Sequence, residues 1–298
     1  MGCIRAPIAL GIEMHIDEFE SQFNSAVKTP YAYQEISLAL IALVCDHDKG
    51  ASAELLNSVQ HLTPTLAGHP QPRWQVFGRD DFSSVSDLLF KLKDIGADLV
   101  IAERNLKLDH EDNLIYGLTN YIDALTQVLE APVLLLPNRA HDHPEVAFDT
   151  PKKIMVETNH LTGDDRLINW GVRFAEPDGS LYLTHIEDGN AFANYIGAIG
   201  RIPEIDTEVA EKTIRDTLLK LPHDFVGSAR AELHIKYPDL RVEETVRFGT
   251  ALSDYKSIIE ENEVDLLILN TKEAGQLAMN GITYAMAVEF KDRPLLLL

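Results

Sequence analysis

The sequence predicts an α/β fold: two tandem, five-stranded, mostly parallel sheets with helices on both faces. Three observations carry this. First, one rhythm occurs twice. Val264-Asp265-Leu266-Leu267-Ile268-Leu269-Asn270-Thr271 and Ala97-Asp98-Leu99-Val100-Ile101-Ala102-Glu103-Arg104 are each followed by a helix-like segment and a Pro-led apolar run, Pro294–Leu298 and Pro132–Leu136. Second, short apolar runs alternate with helical patterns, which places the strands in parallel with right-handed crossovers. Third, 298 residues exceed a comfortable single core, and 45% hydrophobic content supplies material for two.

In the first half, Ile4–Ile12 reads as strand one, with Pro7 pointing to an edge or a late start. Asp17–Val27 opens a helix. Ile36–Val44 reads as strand two and Ala51–Leu62 as a helix. Trp74–Phe77 is strand three, and Ser83–Ile95 is an amphipathic helix. Ala97–Ala102 is strand four, Leu114–Leu129 a helix, and Val133–Leu136 strand five.

In the second half, the run from Lys152 to Glu157 is a short buried strand. Asp164–Ala175 has helical apolar spacing, with Asp164 or Asp165 as its cap. Gly179–Ile186 alternates as a strand. Thr207–Leu221 is a helix that continues after Pro222 to near His234. Arg241–Phe248 is a strand, Gly249 turns into a helix ending near Glu261, and Val264–Leu269 is a strand. A helix over Ile282–Phe290 and a closing strand complete the order. The divisions are residues 1–137, a polar linker 138–150 and residues 151–298.

The formal charge of −21 repels nucleic acid and anionic membranes, so neither is an expected partner. Two cysteines, Cys3 and Cys45, suit a reducing, cytoplasmic setting. On the predicted strands they lie roughly 25 Å apart, too far to pair. Met1-Gly2-Cys3 fails as a lipidation signal because position six is Ala6, and no leader pattern is visible.

The five-strand order, with Gly78-Arg79 and Gly249-Thr250 closing strand three and a Pro-led last strand, resembles the universal stress protein family. The resemblance covers nearly the whole chain as a tandem pair. It implies an adenine nucleotide α-hydrolase-like, Rossmann-like fold. It also implies that the two halves pair through their last strands as an internal pseudo-dimer, with a homodimer as a further option. Nucleotide-binding members carry an Asp after strand one, and G-x2-G-x9-G-[ST] after strand four.

Both copies depart from that pattern. Glu273 replaces the first loop glycine of the second copy. Only five residues separate Gly275 from Gly281, Ile282 follows Gly281, and Thr283 comes one place late. Asn159 stands at the acidic position. The first copy reads Glu103-Arg104-Asn105 with no glycine, Thr119 lies where the final glycine belongs, and Glu13 takes the acidic place. A carboxylate near a triphosphate repels it, and side chains close the positive-φ conformations that a phosphate cradle uses.

The expectation is a non-catalytic, non-ATP-binding stress-response protein with no cofactor and no metal, acting through a protein partner or a small ligand. The alternative is nucleotide binding by the second half alone. The candidate ligand residues there are Asn159, His160, Gly249, Thr250, Asn270, Thr271, Gly275, Gly281 and Thr283, at the edge where open α/β sheets take ligands. The sequence contains none of the G-x-S-x-G, H-E-x-x-H, Walker or G-x-G-x-x-G patterns. His141-Asp142-His143 reads as polar linker. Asp46-His47-Asp48 and Asp109-His110-Glu111-Asp112 read as solvated acidic loops that a divalent cation could bridge. His185 reads as a satisfied sheet residue. Gly189–Ile205 reads as an inserted lid or interface carrying Phe192, Tyr195, Ile196 and Ile199.

Overall fold

Leu40–Val44 has no polar side chain and is buried along its length, which suits only a strand with neighbours on both sides and both faces covered. This is β1. The computed structural model describes residues 30–66, 71–107, 117–138, 148–158, 165–271 and 278–298. Among these, β2 is Arg73–Phe77, β3 Leu99–Ala102, β4 Val133–Leu135, β5 Lys153–Glu157, β6 Ser180–Asp188, β7 Arg241–Gly249, β8 Leu266–Leu269 and β9 Leu295–Leu297. The helices are α1 Lys49–Leu62, α2 Val85–Ile95, α3 Asn120–Val128, α4 Arg166–Phe174, α5 Gly189–Ile199, α6 Thr207–Lys236, α7 Ala251–Glu261 and α8 Gly281–Glu289.

The strands form one mixed, mostly parallel, nine-stranded sheet in the order β2-β1-β3-β4-β9-β8-β5-β6-β7, rather than two separate five-stranded sheets. Among the described strands the one antiparallel pair is β4 with β9, where Leu134 lies opposite Leu296. Apolar runs that would be exposed edges cover one another there. One face packs under α1, α4 and α6, and the other under α2, α3, α7 and α8.

Counting outward from Leu134 and Leu296 sets the equivalence of the halves. Ile101 matches Ile268, Ile41 matches Ile154 and Trp74 matches Leu181. One contact repeats across this relation. Asp98 accepts the Ala39 and Leu40 amides at 2.7 and 2.9 Å, and Asp265 accepts the Lys152 and Lys153 amides at 2.9 Å each. An Asp ahead of each buried strand thus caps the first amides of its neighbour.

This equivalence corrects the sequence reading. The strand expected from Ile36 starts at Leu40 and holds the central position of its half, so it matches β5 and is not a second strand. Among the described residues the first half has no counterpart of β7, and Gly78-Arg79 follows the strand beside the centre. The expected strand Ile4–Ile12 and helix Asp17–Val27 lie outside the described residues, as does Cys3.

Residues 30–38 form an extended strap that crosses onto the second half. The Tyr31 hydroxyl donates to Asn169 Oδ1 at 2.6 Å, and the Tyr33 amide donates to Glu232 Oε1 at 3.0 Å. From α4, Arg173 donates to the carbonyls of Ile36, Thr65 and Leu66. Backbone groups that a strand would pair with strands are here paired with side chains of α4 and α6.

Local chemistry sets the helix ends. Thr119 caps α3 at Ile122 N, so the helix starts later than expected from Leu114. Asp165 makes no side-chain cap for α4, and its Oδ2 instead accepts the Ala32 amide at 3.2 Å. Gly96 ends α2 at φ 60°, a left-handed position that glycine adopts without strain. The helix α6 runs unbroken through Pro222 to Lys236. No helix among the described residues is long and apolar enough to cross a membrane.

Candidate functional site

In an open parallel sheet the ligand edge is the carboxyl end, where strand order reverses. Each half has such a crevice, and the antiparallel seam sends them to opposite ends of the sheet.

At the first crevice the described polar side chains bond to one another. Asp46, two residues beyond β1, is the counterpart of Asn159 by register and so takes the acidic position that the sequence reading gave to Glu13. Glu103, the residue after β3, is 1% exposed. One of its oxygens accepts the Asp46 amide at 2.8 Å and the other meets His47 Nε2 at 2.8 Å. Asp46 in turn meets Arg79 Nε at 3.2 Å and Lys107 Nζ at 3.9 Å. Arg79 also holds the Asp46 carbonyl, and Lys107 holds the Arg79 carbonyl and lies 4.7 Å above the Phe82 ring. Asp48 caps α1 through Gly50 N and Ala51 N, which lowers its carboxyl below the usual range.

The carboxylates proposed as a cation bridge are therefore engaged by cations and amides, and Asp109–Asp112 lie outside the described residues. No group of three metal-ligating side chains occurs among the described residues. Beneath this network Cys45 is buried and free, 3.2 Å from Ser52 Oγ, and burial pushes its thiol up to about 11.

Arg104 belongs to the seam. It is buried, and its guanidinium donates to the carbonyl of Leu136 at 3.0 Å, Ala287 at 2.6 Å and Phe290 at 2.9 Å. The last two are at the carboxyl end of α8, where carbonyls without helical partners favour a cation. Desolvation lowers Arg104 to about 10, leaving it charged at neutral pH. Its counterpart, Thr271, satisfies only the equivalent carbonyl, that of Leu298.

Of the expected ligand residues, Asn159, His160 and Gly275 lie outside the described residues, as does His141-Asp142-His143. Four others are brought together as a structural tie. The Asn270 carbonyl accepts Asn280 Nδ2 at 2.9 Å and Thr283 Oγ1 at 2.8 Å. Thr271 holds Leu298, and the Thr283 amide is capped by Asn280 Oδ1 at 2.8 Å. Gly281 opens α8, with nothing among the described residues within 4 Å of the position of a Cβ. The polar groups of Thr271 and Thr283 are thus turned toward the chain itself. Gly249 and Thr250 precede α7. The Thr250 amide donates to Asp254 Oδ2 at 2.6 Å, and a Cβ on Gly249 would meet that oxygen at 2.4 Å.

The second crevice has a polar floor that the sequence reading missed. Glu157, at the end of β5, is the register partner of Thr184 on β6, so both side chains stand on one face. Tyr255 of α7 reaches this face, its hydroxyl 3.4 Å from Glu157 Oε1. Burial, then the Glu157 carboxylate, raises the Tyr255 phenol well above its ordinary range and keeps it protonated. Thr184 is 0% exposed, and its hydroxyl has no hydrogen-bond partner among the described residues. The counterparts in the first half are Val44 and Phe77, register partners in the apolar core. The legible signal was parity: Thr184 shares its face with Tyr182 and Ile186, which pack in the core. On the opposite face His185 is satisfied, 3.2 Å from Glu187 and 3.5 Å from the Thr158 carbonyl.

No protein-family model matches the chain, and no curated protein matches it. Solved structures with a similar fold include a universal stress protein from Archaeoglobus fulgidus DSM 4304. It has 10% identity and a TM-score of 0.42, and the match covers 87% of this chain and 87% of that one. A candidate universal stress protein from Pseudomonas aeruginosa UCBPP-PA14 has 15% identity and a TM-score of 0.44, covering 95% of this chain and 87% of that one. A protein of unknown function from Pseudomonas aeruginosa PAO1 has 14% identity and a TM-score of 0.42, over 98% and 89%.

Proposed function

We propose that the chain is a non-catalytic, stress-type regulatory protein that binds no nucleoside triphosphate, with a closed first crevice and a second crevice that takes a small ligand. The observation that carries this is Glu103. Its buried carboxylate accepts the Asp46 amide and faces His47, so a negative group already stands where an incoming phosphate would need a donor. In the second crevice the Thr271 and Thr283 hydroxyls are engaged by the carbonyls of Leu298 and Asn270, which removes them from a phosphate cradle. A protein partner or a second copy would meet α5 and the start of α6, where Tyr195, Ile202 and Val209 are exposed.

Thermal unfolding with ATP, AMP and Mg²⁺ tests the reading. A nucleotide at 100 times its dissociation constant would add about 2.7 kcal/mol. The expected result is no shift with Mg·ATP. A shift retained in Glu103→Gln and lost in Thr271→Val would instead install nucleotide binding by the second half.

A further inference from the structure

We infer that the first half of α6 pairs with the same segment of a second copy of this chain, antiparallel, across a two-fold axis at the level of Ile214. The inference deepens the partner reading above. It rests on α5 and the start of α6 being the contact surface, and it names the occupant.

Two observations carry it. The first is packing. The buried residues of α6 are Pro222, Phe225, Val226, Ala229 and Leu233, all in its second half. From Thr207 to Leu221, about four turns of helix, no residue is buried. Helices draw most of their stability from a packed face, so a stretch this long without one lacks a neighbour. Arg215 leans on the Phe192 and Phe248 rings at 4.7 and 5.1 Å and fixes one side of this stretch. Val209 is 62% exposed.

The second is charge. Val209, Lys212, Asp216 and Leu219 follow one another at spacings of three, four and three, the repeat that keeps side chains on one seam between paired helices. His223, next in the series, is held by Glu244 at 2.6 Å and ends the seam. Run antiparallel about Ile214, the seam meets itself in complementary layers. Lys212 of each copy faces Asp216 of the other, flanked by Val209 facing Leu219. Elsewhere on the helix Glu211–Arg215, Lys220–Asp224 and Glu232–Lys236 form ion pairs at four-residue spacing. Lys212 and Asp216 have the same spacing, are exposed, and make no ion pair among the described residues. Thr207–Leu221 carries three acidic and three basic residues, against a formal −21 for the chain. At physiological ionic strength charges more than about 8 Å apart are largely screened, so two copies can meet on this balanced face. A parallel pairing would set Lys212 against Lys212, and like charge disfavours it.

The test is sedimentation equilibrium of the full chain over a range of concentrations, at about 0.15 M salt. Wild-type protein should shift from monomer to dimer as concentration rises. Lys212→Asp and Asp216→Lys should each weaken the dimer about tenfold or more, because each sets like charges across the axis. Neither should move the melting temperature of dilute protein. An equimolar mixture of the two variants should regain the wild-type dimer, since the acidic seam of one then faces the basic seam of the other. A monomer at every concentration up to about 1 mM would overturn the inference. So would a dimer that both reversals leave intact, or variants that fail to restore one another on mixing. A monomer with no Mg·ATP shift removes the second copy and leaves the nucleotide reading standing. A Mg·ATP shift in a chain that dimerises through this seam does the reverse.

Discussion

The two crevices are built on matching strands, yet their chemistry is inverted. Where the first half has an apolar floor, Val44 and Phe77, it has a charged rim of Asp46, His47, Arg79, Glu103 and Lys107 that satisfies itself. Where the second half has a polar floor, Glu157, Thr184 and Tyr255, the described residues at its rim include Asn270, Thr271 and Thr283, which are neutral and tie the chain together. The comparison teaches that strands can match in backbone register without matching in side-chain chemistry. The Asp98 and Asp265 caps serve the ladder and are the same in both halves. The groups beyond the strand ends do not serve the ladder, and they differ.

The sharpest way to break this comparison is at the seam. Arg104→Ala should destabilise the chain by about 3 kcal/mol or more, because it strands buried carbonyls that the guanidinium satisfies. The matching change, Thr271→Val, should cost about 1 kcal/mol, since it loses one bond. Urea midpoints compared at constant slope would decide, and equal losses would contradict the asymmetry.

Changes at the two floors should have opposite signs. Phe77→Ala should cost about 3–5 kcal/mol for an emptied core position. Thr184→Val should be neutral or stabilise by about 1 kcal/mol, because it removes an unsatisfied buried hydroxyl. A destabilisation above about 1 kcal/mol in calorimetry would mean that Thr184 has a structural partner.

The caps test the equivalence itself. Asp98→Ala and Asp265→Ala should each lose stability by about 1–2 kcal/mol and agree within about 0.5 kcal/mol, since each leaves two strand-entry amides without an acceptor.

The smallest effect is alkaline. The Cys45 thiol is raised from 9.0 to about 11 in the folded chain. Between those values the unfolded chain releases the proton while the folded chain keeps it. The contribution is whole below pH 9 and is lost as pH rises toward 11. The raised phenols of Tyr31, Tyr33 and Tyr255 act in the same direction at higher pH. Denaturation curves of the parent and Cys45→Ala, measured through that window, should converge as pH rises.

Much of the fold was legible because its signals are local. Period-two and continuous apolar runs gave β3 to β9 within a few residues, and Pro132 and Pro294 marked the same strand in each half. The first strand misled, since Ile36 and Leu38 extend the apolar run of Leu40–Val44 backwards with only Ser37 to interrupt it. Only the second half, through Arg173, Asn169 and Glu232, holds that segment as a strap. The candidate site was less legible. Asn270, Thr271, Gly281 and Thr283 have the residue types of a phosphate loop, but their hydrogen bonds run to Leu298 and to one another, and a one-dimensional pattern does not record partners. Glu103 could be read as hostile to phosphate. That it meets the Asp46 amide could not.

By itself the sequence determined the α/β class and the acidic character, because these follow from periodicity and composition, which each residue carries alone. The tertiary structure decided which strand is central, that one sheet spans both halves, and which crevice satisfies itself. Those are questions of pairing between distant groups, and a hydrogen bond or a buried charge has an energy only once its partner is in place.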